Sequence, residues 1–285
     1  MKKYRKKEGR AAALFLAPSM TGISLLVLVP FLETVRRSFY NSPGTRFIGF
    51  GNYSSVLNNA AFRLAAANTG KFMLLSVPAL LLISFILALL VKPLGQRGGL
   101  YRTSFLLPLA IPVASVTLLW KVVFADNGLA NGVLHALGGG SVSFMGSGAA
   151  FGVLLFTFLW KNCGYHMALW LSGMDTISPA LYDAASIDGA SWTKQLFYIT
   201  IPNLLPTLGM LWVLGIINTF KVFREAYQVA GAYPHDSMYL LQHLYNNWFM
   251  NLDLGRLCAG AVMMAAVLLA FIGVLHKALR MENTL

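Results

Sequence analysis

The chain has 285 residues, of which 57% are hydrophobic and only 11% are charged, and its formal net charge is +12 at pH 7. A soluble domain carries about 25% charged residues, so this composition is typical of a membrane protein and excludes an ordinary soluble domain. The positive charge does not indicate nucleic-acid binding, because many of the basic residues stand in short stretches between apolar runs, as membrane anchoring requires. Cys163 and Cys258 have no partner at metal-ligand spacing, so we predict no metal site.

Six apolar stretches are long enough to cross a membrane as helices. A bilayer core about 30 Å thick needs about 20 helical residues, because a helix satisfies its backbone polar groups within the segment. The stretches are Ala11–Leu32, Phe72–Val91, Ser104–Phe124, Ala149–Leu171, Asn203–Phe220 and Leu257–Leu275. Polar residues interrupt the fourth and the fifth. The sequence therefore predicts an all-α polytopic membrane protein with six transmembrane helices.

Basic residues set the expected orientation. Six of the first ten residues are Lys or Arg, which places the N-terminus in the cytoplasm by the positive-inside rule. The apolar stretch that follows is too long for a signal peptide, and we expect it to stay in the protein as the first span. With six spans, both termini are cytoplasmic. We divide the chain into residues 1–71, which hold the basic segment, the first span and an outer amphipathic loop at Phe47–Gly70, and a five-helix core at 72–285.

The segment "LYDAASIDGASWTKQLFYITIPNLLP", from Leu181 to Pro206, has the pattern of two short cytoplasmic helices joined by a glycine. Ser178 followed by Pro179 is a helix-start signal. Gly189 stands where a helix ends in a left-handed residue, and Ser191 is placed to cap the next helix. The residues alone leave an ordinary interfacial loop open as an alternative.

Part of this segment, "DAASIDGASWTKQLFYITIPNLLP", resembles the EAA motif of binding-protein-dependent ABC importer permeases. Asp183 takes the place of the leading Glu of that motif. The positions that match the motif are Ala184, Ala185, Asp188, Gly189, Ala190, Phe197 and Pro202. The resemblance covers nearly the whole chain: "LAPSMTGISLLVLVPFLETVRRSFY" and "FIGFGNYSSVLNNAAFRLAAANT" are similar to the carbohydrate-uptake branch, in its first-subunit type. The Gly-Gly-Pro of that branch is replaced here by Ala232-Tyr233-Pro234.

The resemblance implies a type I ABC importer transmembrane-domain fold in a bacterial-type plasma (inner) membrane. It implies a permease subunit that moves a sugar or related polyhydroxylated solute inward by alternating access. In the family, a coupling loop, here at about 173–201, docks in a cytoplasmic ATPase. The implied ATPase-coupling residues are Asp183, Ala184, Ala185, Asp188, Gly189, Ala190, Phe197 and Pro202. The implied partners are a second related permease chain, an ABC ATPase dimer, an extracytoplasmic solute-binding protein and membrane lipid.

Polar residues within the fourth span and at the end of the fifth are candidates for the solute path. They are Lys161, Asn162, His166, Asn218, Thr219 and Lys221. An ionisable residue at membrane depth is costly and is by default a functional candidate. Packing explanations stay open: Lys161 snorkels or pairs with a carbonyl, and Asn218 and Thr219 hydrogen bond between helices. We expect Arg224 and Glu225 to face the binding protein or each other.

Two other classes of function are weighed against a permease subunit. A secondary transporter or channel that works without an ATPase usually carries paired membrane carboxylates or repeated half-units, and the cores of the six predicted spans contain no acidic residue. A membrane enzyme needs a cluster of reactive side chains, and Cys163 with His166 is too small a set. The sequence has no phosphate-binding Gly-x-x-x-x-Gly-Lys-Ser/Thr motif. We therefore predict no catalytic residue and no cofactor, with ATP used by the partner ATPase.

Overall fold

The computed structural model describes residues 14–282, and of residues 96, 275, 276 and 278–282 it describes the backbone alone. The predicted basic segment at 1–10 and the first three residues of the predicted first span lie outside this range. Helices dominate the described chain, and an isolated β-bridge joins Tyr40 to Phe47. In chain order the helices are α1 (Leu14–Arg37), α2 (Gly51–Asn58), α3 (Ala60–Val91), α4 (Gly98–Ala110), α5 (Val113–Val123), α6 (Leu129–Ala136), α7 (Ala149–Asp175), α8 (Pro179–Ile187), α9 (Trp192–Gln195), α10 (Ile201–Asn203), α11 (Leu205–Lys221), α12 (Phe223–Ala230), α13 (Leu241–Met250) and α14 (Leu254–Glu282).

Within residues 14–282, four helical segments are long and apolar enough to cross a membrane. They are α1, Ala60–Gly95, Leu205–Ala230 and Leu254–Val274. The pair α4 and α5 makes a fifth if it is counted as one broken span. The prediction of an all-α polytopic membrane protein is confirmed.

The predicted third span, Ser104–Phe124, is wrong as a continuous helix. The chain bends by 92° between α4 and α5. Ile111 ends α4 in an extended conformation, with φ −75° and ψ 126°, and Pro112 precedes α5. The proline ring clashes with a helical conformation of the residue before it, which accounts for the position of the bend.

The predicted fourth span forms α7, a helix of 27 residues. It is long enough to cross a bilayer, but it is not among the segments that are apolar enough to qualify. Lys161, Asn162 and His166 lie near its centre and account for this difference.

The second span also differs from its predicted bounds. Its helix begins at Ala60 instead of Phe72, so the last part of the predicted outer loop Phe47–Gly70 belongs to α3. Alanine is the strongest helix former, and the alanine-rich run from Ala60 extends the helix at its N-terminal end. The short helix α2 is a separate element within the expected outer segment.

The chain forms two compact units, whose described parts are residues 14–59 with 245–269 and residues 60–244 with 270–282. In the first unit, Asn52 donates hydrogen bonds to the carbonyl oxygens of Ser38 (2.8 Å) and Tyr40 (2.7 Å). Asp253 caps α14 by accepting from the backbone N–H of Arg256 at 3.3 Å. Burial favours the protonated form of Asp253, but hydrogen bonds from the side chains of Arg256 and Ser42 outweigh it and lower the pKa of this carboxyl.

The second unit is built around α3 and α7. Phe72 of α3 lies edge-on to Phe158 of α7, with ring centroids 5.5 Å apart, and both are buried. Val222 and Ala226 extend this core towards α11 and α12. The second unit contains the polar side chains that were predicted to contact solute, and also the predicted coupling loop.

Candidate solute cavity and coupling loop

A cavity of about 300 Å³ lies among α4, α7, α11 and α12. This volume is at the lower end of the range of ligand pockets, roughly 300–1,000 Å³. The cavity is lined by Leu109, Thr157, Phe158, Lys161, Asn162, Tyr165, Leu214, Asn218, Lys221, Val222 and Glu225. Polar and ionisable side chains from two helical segments, 157–165 and 218–225, therefore line one cavity within a single compact unit.

Four of the six predicted solute-path residues line this cavity, namely Lys161, Asn162, Asn218 and Lys221. His166 and Thr219 are buried and are absent from the lining. His166 Nδ1 lies 3.1 Å from the carbonyl oxygen of Asn162. The hydroxyl of Thr219 donates to the carbonyl oxygen of Ile216 at 2.6 Å, within its own helix.

The central feature of the cavity is an ion pair between Lys161 of α7 and Glu225 of α12. The two side chains are only 18% and 6% exposed. The predicted alternatives for Lys161, snorkelling or a carbonyl partner, were wrong, and so was the expectation that Glu225 faces Arg224 or a binding protein. The helical segment of the fifth span continues to Ala230, beyond its predicted end at Phe220, and Glu225 lies in this added part. A buried charged side chain needs a partner of opposite charge. Lys161 and Glu225 provide this partner for each other.

Most of the other polar groups of the cavity are held by their own helices. Asn162 donates to the carbonyl oxygen of Phe158 at 2.8 Å, and the hydroxyl of Thr157 donates to that of Val153 at 2.8 Å. Lys221 donates to Oδ1 of Asn218 at 2.9 Å. These contacts fix the side chains in place. By contrast, Oε2 of Glu225 is buried and has no hydrogen-bond partner among the described residues.

Thr157, Tyr165 and Glu225 line the cavity and were missed as site residues. Helical spacing was the available signal: Thr157, Lys161 and Tyr165 are four residues apart, so they share one face of α7. Glu225 follows Asn218 by seven residues, two helical turns further along. The signal was lost for Glu225 because the predicted span ended at Phe220.

The predicted two-helix segment is present as α8 and α9. Gly189 has φ +73°, and the backbone N–H groups of Gly189 and Ala190 donate to the carbonyl oxygens of Ser186 (3.1 Å) and Ala185 (2.8 Å). This is the Schellman arrangement of a helix end, which requires a left-handed residue at the position of Gly189. We call residues 178–195 the elbow. Its start at Ser178 and Pro179 is as predicted, although Ser178 makes no side-chain cap.

Side-chain contacts brace the elbow and join it to the helix that follows. Gln195 donates to the hydroxyl of Ser186 at 3.0 Å and to the carbonyl oxygen of Ala190 at 3.2 Å. The hydroxyl of Tyr182 lies 2.9 Å from that of Thr200. From α9 the chain stays helical through a π turn at Leu196–Thr200 and through α10, and after Leu204 it enters α11. The elbow is thus continuous with the helix that carries Asn218 and Lys221.

The predicted coupling residues lie on and just beyond the elbow. Two of them, Ala185 and Ala190, are half-buried. The exposed ones are Asp183, Ala184, Asp188, Gly189, Phe197 and Pro202. Ile187 and Trp192 add large exposed apolar side chains, which were not predicted as coupling residues.

Comparison with known proteins identifies the chain's relatives. It is 31% identical to the sulfoquinovosyl glycerol transport system permease protein SmoG of Agrobacterium fabrum, over 95% of this chain and 91% of that protein. It is 30% identical to the lactose transport system permease protein LacF of Rhizobium radiobacter, over 83% of this chain and 82% of that protein. The predicted resemblance to carbohydrate-uptake permeases is confirmed.

A solved structure shares the fold. A chain of a bacterial ABC transporter involved in the import of the acidic polysaccharide alginate superposes with a TM-score of 0.85 at 20% identity, over 98% of this chain and 99% of that chain. Residues 72–280 match the family described as binding-protein-dependent transport system inner membrane component. The chain therefore belongs to this family and is a multi-pass inner membrane permease component of a binding-protein-dependent transport system.

Proposed function

We propose that this permease component imports a sugar or related polyhydroxylated solute, driven by a separate ATPase. The observation that carries the proposal is the helical connection from the elbow, through the π turn and α10, to α11. A partner that moves the elbow would move the side chains of Asn218 and Lys221 at the cavity. The permease relatives named for sulfoquinovosyl glycerol and lactose support a sugar as the solute.

The proposed cycle is alternating access. The ATPase contacts the elbow differently in its two nucleotide states, and this difference in contact energy shifts the permease between inward-open and outward-open forms. The coupling residues are the eight predicted positions from Asp183 to Pro202. The hydrogen bonds of Gln195 and Tyr182 stiffen the elbow, so displacement reaches α11 instead of being lost in the loop.

The proposed assembly has three partners and six spans. A second related permease chain completes the pore, a cytoplasmic ABC ATPase dimer binds the elbow and uses ATP, and a solute-binding protein delivers the solute outside. In this arrangement α7 crosses the membrane as the sixth span and both termini lie in the cytoplasm. Pairing with Glu225 offsets much of the cost of placing Lys161 at membrane depth.

The alternative is an ATPase-independent secondary transporter or channel for a small polar solute. One observation favours it: Glu225 is a carboxylate within a membrane-spanning segment, the kind of group that proton-coupled transporters use. Against it, one oxygen of that carboxylate is held in the ion pair with Lys161.

Reconstitution in proteoliposomes tests the two functions. The chain is assembled with its pore partner, ATPase and binding protein, and uptake of radiolabelled maltose, lactose and trehalose is measured. We expect uptake to require both ATP and the binding protein, and to stop when a non-hydrolysable ATP analogue replaces ATP. Uptake that continues without ATP and follows an imposed proton gradient would establish the alternative instead.

A further inference from the structure

A second cavity of the chain is an apolar groove among the helices of the second unit. It has a volume of about 280 Å³ and lies among α3, α7, α10 and α11. All nine side chains that line it are apolar, and Phe85, Trp170 and Trp212 are the aromatic ones. The indole Nε1 of Trp170 donates to the hydroxyl of Ser84 at 3.2 Å, so this polar atom is already bonded. An apolar cavity stays dry and accepts apolar ligands.

The groove opens on the surface of the helices at membrane depth. Pro78 and Leu82 line it and are exposed, Leu82 to 60%. Both lie in the middle of the candidate span Ala60–Gly95, and Leu208 of the lining lies in the candidate span Leu205–Ala230. The medium around such spans is the hydrocarbon of the bilayer. An acyl chain of a lipid therefore reaches the groove without leaving an apolar environment.

Basic residues follow the groove at the end nearest the elbow. Lys92 comes seven residues after Phe85, about 10 Å further along the helix axis. Its ammonium pairs with Asp175, which stands three residues before the elbow, and this pair is neutral overall. Arg97 is exposed at the end of the turn Lys92–Arg97, which contains no acidic residue, so it makes this end of the groove positive. Basic residues next to a membrane helix attract anionic headgroups.

We propose that this groove, which we call the lipid groove, binds one acyl chain of an anionic phospholipid whose phosphate lies near Arg97. The apolar walls bury the chain, and the headgroup stays at the membrane surface beyond the end of α3. The lining comes from α3 and α7 and also from α10 and α11, which continue from the elbow. A bound chain packs against both pairs of helices, and it favours the arrangement that keeps the groove open. This inference depends on neither the solute nor the ATPase.

Photolabelling of the full-length chain in proteoliposomes tests the inference. The probe is a phosphatidylglycerol that carries a diazirine in the middle of one acyl chain, added as a minor component to phosphatidylcholine. After illumination, mass spectrometry locates the label along the chain. We expect labelling of the peptide that contains Leu208 and Trp212 to saturate as the probe is increased, and to fall several-fold when unlabelled phosphatidylglycerol is added. General contact with the bilayer gives labelling that rises in proportion to the probe.

Leu82→Trp is the variant that blocks the lipid groove, because a larger side chain narrows its mouth. Leu74→Trp is the matched control, since Leu74 lies on the same helix and is 71% exposed but does not line the groove. A helical side chain leans towards the N-terminus, so the indole at position 74 points away from the groove. We expect Leu82→Trp to reduce the saturable labelling several-fold and Leu74→Trp to retain it. Both replaced side chains are exposed, and gel filtration checks that both variants fold.

Arg97→Gln tests the choice of headgroup. We expect the native chain to be labelled about five-fold more efficiently by the phosphatidylglycerol probe than by a phosphatidylcholine probe with the same acyl chains. Arg97→Gln should remove this preference, whereas Arg63→Gln should keep it, because Arg63 is an exposed residue near the opposite end of α3. Equal labelling of the native chain by the two probes would overturn the assignment of an anionic lipid.

Two other results would overturn the lipid groove itself. Labelling that does not saturate, and is equal in Leu82→Trp and Leu74→Trp, would show general contact with the bilayer and no site. Labelling that is present in the chain alone but absent when the chain is purified with its bound partner proteins would show that a protein covers the groove. Because uptake is not measured, failure of the proposed sugar import leaves this test unaffected.

Discussion

Single residues of the cavity show how the chain carries charge into a membrane-spanning region. An isolated lysine at the centre of a membrane helix costs about 2.5–3.5 kcal/mol on insertion scales. Lys161 lies near the middle of α7 and Glu225 near the end of the fifth span, 64 residues later in the chain, and the two neutralise each other. The two charges are therefore tolerated only as a pair. The contribution of each residue to the stability of the protein depends on the presence of the other.

We predict that Lys161→Met is strongly destabilising, because it leaves the buried carboxylate of Glu225 without a counter-charge. Breaking a buried ion pair on one side costs about 3–5 kcal/mol. The measurement is the free energy of unfolding of the purified chain in mixed detergent micelles. The double variant Lys161→Met/Glu225→Gln should recover most of the loss, because it removes both charges.

Lys221→Met is the control for the loss of a cavity lysine. Lys221 is exposed and donates to Asn218 on its own helix, so its replacement should cost at most about 1 kcal/mol. If Lys161→Met and Lys221→Met lower the free energy of unfolding by the same amount, the Lys161–Glu225 pair is not a buried ion pair of the folded protein.

At the scale of elements, the elbow could be predicted from local chemistry and the bend of the third span could not. Ser178 before Pro179, and Gly189, are signals that act within a few residues, and the helices begin and end there. By contrast, a proline within a predicted span does not by itself show whether the helix ends there. Pro78 and Pro108 lie inside α3 and α4, whereas Pro112 coincides with the 92° bend. The choice between tolerated and helix-breaking prolines depends on what packs around them, which a single sequence does not contain.

We predict that Gly189→Pro abolishes ATP-driven uptake while the chain still inserts into the membrane. Proline has no N–H to donate to Ser186, and it fixes φ near −65°, whereas Gly189 needs φ +73°. Gly189→Ala is the matched control, since it keeps the N–H and costs about 1–2 kcal/mol for the left-handed conformation. Its uptake should be reduced but measurable. Normal uptake by Gly189→Pro, at equal abundance in the membrane, would show that the elbow does not transmit the motion.

We also predict that Gly164→Ala disrupts the packing of α4 against α7. A Cβ atom on Gly164 would lie 1.8 Å from the carbonyl oxygen of Phe105, far inside van der Waals contact, so the helices must separate. In a membrane, helix association depends on such close approach of small residues. Overpacking typically costs about 1–3 kcal/mol, so we expect the free energy of unfolding to fall by about this amount. Gly152→Ala on the same helix meets nothing within 4 Å and should be close to neutral. Equal stabilities of the two variants would contradict the close contact at Phe105.

At the scale of the whole molecule, the membrane class, most helix positions and the family could be predicted from the sequence, but the grouping of polar residues into one cavity could not. Apolar runs of about 20 residues are visible in one dimension. The meeting of Lys161 with Glu225 depends on how α7 packs against α12, and no pattern along the chain connects those positions. In the proposed topology, this pairing is what would let α7, which does not qualify as a span by hydropathy, cross the membrane as the sixth helix.

The proposed six-span topology makes a prediction that isolates α7. Leu137 and Ile187 are 80% and 87% exposed, and α7 is the long helix between them in the chain. In a chain with Cys163 and Cys258 replaced by alanine, we expect Leu137→Cys to react with a membrane-impermeant maleimide in intact spheroplasts. Ile187→Cys should react only in inside-out vesicles, because it lies on the cytoplasmic elbow. Each variant serves as the other's control, since both positions are apolar and exposed. If both cysteines react from the same side, α7 does not cross the bilayer and the six-span topology fails. If that side is the outer one, a cytoplasmic ATPase cannot bind the elbow either.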